Sequence, residues 1–104
     1  MSRWDNEIWY NPAGGVGKVS SRIGTYIESI FDFDEAAFGL ATGESSLMDP
    51  QQRILLEETL NAFNSANLPA ASLVGSSTGV YVGCIWLEYG DLLAGLGVPA
   101  GAHM

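Results

Sequence analysis

A single domain of mixed α/β architecture is what this sequence predicts, on three observations. The first is one well-capped amphipathic helix across residues 50–66. The second is a near-continuous apolar run, Val80-Tyr81-Val82-Gly83-Cys84-Ile85, of the kind that fills a strand buried on both faces. The third is composition. In 104 residues, 47% are apolar and only 15% charged, so the chain is neither disordered nor rich in solvated surface. A surface so poor in charge belongs either to a segment partly covered by something else or to an unusually apolar independent domain.

Residues 1–26 place Trp4, Trp9 and Tyr10 among turn formers, Asn11-Pro12 and Gly14, Gly15 and Gly17, with a period of neither two nor 3.6. They predict an irregular loop anchored by its aromatics. Gly14-Gly15-Val16-Gly17-Lys18 has the look of a phosphate-binding loop. However, that motif needs glycine where Pro12 stands and a hydroxyl residue where Val19 stands, so no nucleotide site is expected. Further on, Asp34 is positioned to cap a short helix that Gly39 stops, and Asp32, Asp34 and Glu35 are expected to serve capping and the helix dipole rather than a metal. Ala41 to Leu47 reads as a loop or a short helical segment.

The helix over 50–66 is the clearest element. Asp49 is its N-cap, Pro50 fits the first helical position, and Gln52 is placed to complete a capping box. Leu56, Leu60 and Phe63 form an apolar stripe widened by Leu55, Ala62 and Ala66, with the polar residues facing outward. Asn67 suits the left-handed position before Leu68-Pro69. The spacing therefore predicts a packing helix followed by a buried strand over about 79–85, then a further short helix within Glu88 to Leu96.

Four basic against twelve acidic residues give a net charge of −8. That excludes nucleic acid and an anionic membrane as partners, because phosphates bind through Lys and Arg. No apolar run is long enough to span a bilayer, and one cysteine, Cys84, cannot form an internal disulfide. Both point to a cytoplasmic setting. Cys84 lies in the strand pattern and is expected to be a small hydrophobe; His103 is expected to be a solvated side chain near the terminus. The sequence thus offers no catalytic, cofactor-binding or metal-ligating set.

One order of motifs is specific: Arg3-Trp4-Asp5, Tyr10, Pro12, Gly17-Lys18, Phe33-Asp34, Ala37-Phe38-Gly39, Met48-Asp49-Pro50-Gln51-Gln52-Arg53, Leu56-Glu57, Ser72-Leu73, Gly75-Ser76 and Thr78-Gly79-Val80-Tyr81-Val82-Gly83. Over residues 3–89 it resembles the N-terminal part of a β-ketoacyl synthase, the ketosynthase domain of modular type I polyketide synthases; the last fifteen residues match less well. The resemblance implies that residues 1–104 are part of that N-terminal domain, a fragment of a thiolase-like, layered αβαβα fold. It also implies decarboxylative condensation of acyl and malonyl-type units, in polyketide or fatty acid biosynthesis. The acyl groups are carried on the phosphopantetheine of an acyl carrier protein, and no resident cofactor is implied. Implied partners are the remainder of the ketosynthase domain, the carrier protein and a second ketosynthase.

The departures from the family pattern concern the chemistry. The family's nucleophilic cysteine sits in an Ala-Cys-Ser-Ser type elbow, which does not occur here, and its two histidines lie further downstream. No Ile-Val-Gly type run matches the family's opening strand, and Ala41-Thr42-Gly43 replaces a Ser-Pro-Arg type stretch. The expectation is a structural segment that is inactive alone. The alternative is a non-catalytic interaction module that binds a synthase subunit or a carrier protein. The charge of −8 weighs against the carrier, since carriers are acidic as well.

Overall fold

The computed structural model describes residues 5–86 and 88–98. Its elements in chain order are α1 (Asn6–Trp9), short 3₁₀ turns at Ala36–Phe38 and Glu44–Leu47, α2 (Pro50–Ser65), another 3₁₀ turn at Ala70–Leu73, and α3 (Tyr89–Gly95).

The long helix forms where its caps dictate. The Asp49 carboxylate accepts the Gln51 amide at 2.8 Å, and the Asp49 carbonyl accepts from the Gln52 and Arg53 amides. The cap thus closes on Gln51, and the box expected through Gln52 is not made. At the other end Asn67 is left-handed, with φ +52°. The Leu68 amide donates to the Phe63 carbonyl and the Asn67 amide to the Asn64 carbonyl. This is the paired bonding of a Schellman stop. Similarly, Asp34 accepts the Ala37 amide, and Gly39, at φ +67°, ends the turn in a conformation that penalises a side chain. Phe33 and Phe38 stack across that turn at 5.0 Å.

Residues 5–26 are more ordered than the lack of period over 1–26 suggests. Asp5 caps α1, and Tyr10 and Val19 form an isolated parallel bridge. The Val19 amide donates to the Trp9 carbonyl, and the Asn11 amide donates to the Val19 carbonyl. Trp4 lies outside the described residues.

The expected α/β class is not confirmed, because no strand forms among the described residues. Residues 79–85, expected as a buried strand, have neither ladder nor burial. Val80, Tyr81, Val82, Ile85 and Trp86 are 60–95% exposed. The reason is physical: a strand exists only where a neighbouring backbone supplies its hydrogen bonds, and no described residue does so here. The apolar stripe of α2 is likewise only partly covered. Leu56, Leu60 and Phe63 are half-buried, whereas Leu55, Ala62 and Ala66 are exposed.

Among the described residues only Met48, Arg53 and Leu93 are buried. The chain's accessible surface is 8350 Å², against about 5,650 Å² for a compact protein of this mass. The radius of gyration is 17.7 Å, where a compact chain of this length gives about 13 Å. The segment is therefore open, with helices and turns locally formed and the apolar surface between them uncovered.

Candidate functional site

Three polar constellations could carry chemistry, and each is held by a mixture of backbone and side-chain partners. In the first, the Lys18 ammonium donates to the Ile8 carbonyl at 2.6 Å, which ties the glycine-rich loop back to α1. Arg22 lies 4.5 Å from the centre of the Tyr10 ring and pairs with Glu7 at 3.1 Å. Asn6 donates to the Arg22 carbonyl and accepts from the Tyr26 hydroxyl. Lysine, arginine and tyrosine thus fasten the loop, and none converges on a shared ligand position. The Arg22–Glu7 pair is solvent-exposed and adds little by itself.

The second centres on Glu35. Its carboxylate accepts the Gly43 amide at 2.9 Å, the Ser45 amide at 2.9 Å and the Ser45 hydroxyl at 2.6 Å. These donors hold its pKa below the ordinary glutamate value, the Ser45 hydroxyl most of all. Glu44 accepts the Ala41 amide at 2.8 Å. The acids expected to cap and complement dipoles therefore divide the work. Asp34 caps, while Glu35 reaches across to latch the following loop. Sequence reasoning missed this latch, whose one signal is a carboxylate followed by Gly43-Glu44-Ser45 eight to ten residues on. Among the described residues no group of three His, Cys, Asp or Glu side chains could hold a metal ion.

The third joins the start of α2 to the uncovered segment. The Gln51 amide group donates to the Trp86 carbonyl at 2.8 Å, and the Cys84 thiol donates to the Gln51 amide oxygen at 3.4 Å. Cys84 is exposed rather than buried as a small hydrophobe, and its contacts are an amide oxygen and, at 3.8 Å, the Trp86 carbonyl. Neither can act as the base that activates a thiol. His103 lies outside the described residues. Nearby, the Tyr89 hydroxyl donates to the Ser46 carbonyl at 2.7 Å, pinning α3 to the turn before α2.

One side chain departs from the outward-facing pattern expected of α2. Arg53 is 4% exposed, and its Nε has no hydrogen-bond partner. Helical periodicity alone had placed it among the solvated residues.

These contacts cap the long helix, latch a loop and clamp the N-terminal turn. The sequence itself matches the family model described as "Beta-ketoacyl synthase, N-terminal domain" over residues 1–98. The chain belongs to the β-ketoacyl synthase family, by its N-terminal domain. It is 40% identical to polyketide synthase GfsA of Streptomyces halstedii over 87 residues, which is 83% of this chain and 1% of that protein. To the mycocerosic acid synthase-like polyketide synthase of Mycolicibacterium smegmatis it is 39% identical over 93 residues, 88% of this chain and 4% of the relative. The highly reducing polyketide synthase PKS6 of Gibberella zeae is 40% identical over 94 residues, again 88% and 4%. The chain thus spans only a few per cent of the curated relatives it matches. No solved structure matches it. No described helix is long and apolar enough to cross a membrane.

Proposed function

We propose that the chain is the front part of a ketosynthase within a multidomain polyketide synthase, and that it acts as scaffold. In the reaction proposed for the whole enzyme, an acyl group passes from a carrier's phosphopantetheine thioester to a cysteine sulfur. A malonyl-type extender then loses carbon dioxide, and the carbanion left behind attacks the acyl carbonyl and releases the thiolate. The cysteine and the two histidines for these steps are supplied by other parts of the polypeptide. This chain contributes the capped helix α2, the loop latched by Glu35 and the apolar run at 79–86. A reducing, cytoplasmic setting suits its single thiol.

The observation that carries this reading is the surface excess. About 2,700 Å² more is exposed than a compact protein of this mass would leave. That exceeds the ~1,600 Å² total buried in a standard protein–protein interface, which fits a segment completed by the rest of its own domain.

The test is acyl loading followed by intact-mass spectrometry, on the purified chain and on the polypeptide that contains the whole ketosynthase domain. The complete domain is expected to gain one acyl group on a cysteine outside these residues. Cys84 is expected to react no faster than a free thiol. Rapid, selective acylation of Cys84 would overturn the scaffold assignment.

A further inference from the structure

Arg53 is the anomaly in the described structure. It is 4% exposed, its Nε–H has no acceptor, and no carboxylate of the described residues pairs with it. All twelve acidic side chains of the chain lie within the described residues, so the counter-charge is not one the segment withholds. The other described cations are engaged, Lys18 on the Ile8 carbonyl and Arg22 on Glu7 and Tyr10. Position makes matters worse. Arg53 is the fourth residue of α2, at the positive end of the helix dipole, where a cation is disfavoured. Asp49 already satisfies the amides there, so it is the guanidinium and not the helix terminus that lacks an anion. A buried guanidinium is retained in proteins when it is paired.

We infer that Arg53 is the receiving half of a buried ion pair, whose carboxylate is carried by another part of the ketosynthase. The inference rests on the reading of the chain as part of a larger domain. The orphaned atom favours a carboxylate over a lone carbonyl. Nε and the neighbouring Nη present two parallel N–H groups along one side of the guanidinium, and a carboxylate takes both.

The experiment uses the polypeptide containing the whole ketosynthase domain. Its crystal structure is expected to show an Asp or Glu oxygen within hydrogen-bond distance of the Arg53 Nε. Arg53→Gln is expected to lower the melting temperature by about 5 °C or more, and Arg53→Lys to recover less than half of that loss. Replacing the partner carboxylate by its amide should add little further loss in the double variant, because the two substitutions remove one interaction. A backbone carbonyl or a water on Nε, or additive losses in the double variant, would overturn the inference. If Arg53→Gln fails to fold, the structure and Arg53→Lys still decide. Acyl loading by the same polypeptide separates the two readings. Loading with a carbonyl on Nε sinks the ion pair alone, whereas a carboxylate on Nε without loading sinks the proposed chemistry alone.

Discussion

Glu35 and Arg53 are ionised side chains eighteen positions apart, and the chain treats them oppositely. Glu35 takes three donors and is held below its ordinary pKa, whereas Arg53 is buried with its Nε unmet. Because the folded pKa of Glu35 is lowered, its contribution to stability is complete above the ordinary carboxylate range. That contribution is lost as pH falls through the lowered value. In the complete domain, Glu35→Gln should therefore reduce the melting temperature at pH 7, and the gap from wild type should close on acidification through the lowered value. A gap independent of pH would show that the latch does not depend on the charge. Asn67 offers a second residue-scale test. Its φ of +52° favours glycine, so Asn67→Gly should be near neutral and Asn67→Ala should cost about 1 kcal/mol. Urea unfolding of the two variants measures the difference.

At the scale of elements, what could be read from sequence is what local chemistry decides. Asp49, Pro50 and Asn67 bound α2 because capping and left-handed conformations are properties of a few adjacent residues. The turn after Asp34 and its stop at Gly39 are legible for the same reason. The clamp of Lys18 on Ile8, the Glu35 latch and the burial of Arg53 were not legible, since each joins positions whose separation is set by the loop path rather than by a period. The run Val80 to Ile85 shows the opposite limit. Its composition suits a strand, yet the pairing that defines one is not a property of the run itself. Leu60 lies half-buried on the α2 stripe. In the complete domain Leu60→Asp should destabilise by several kcal/mol, because it places a charge against an apolar neighbour. Thermal denaturation checks this, and an unchanged melting temperature would mean that the stripe stays in water.

At the scale of the whole molecule, the surface of 8350 Å², the radius of gyration of 17.7 Å and the three buried side chains describe one condition. The described residues settle their local turns and leave large apolar side chains exposed. Family membership and the sparse charge agree with that condition. The acidic balance of −8 leaves only four cations, of which one, Arg53, is committed to the interior.

Backbone amide exchange over residues 80–85 tests this account most directly, compared between the isolated chain and the complete ketosynthase domain. The account predicts near-random-coil exchange in the isolated chain and exchange slowed by about a thousandfold or more in the complete domain, where the run gains its ladder partners. Strong, cooperative protection of these amides in the 104-residue chain alone would contradict it, as would their unprotected exchange in the complete domain.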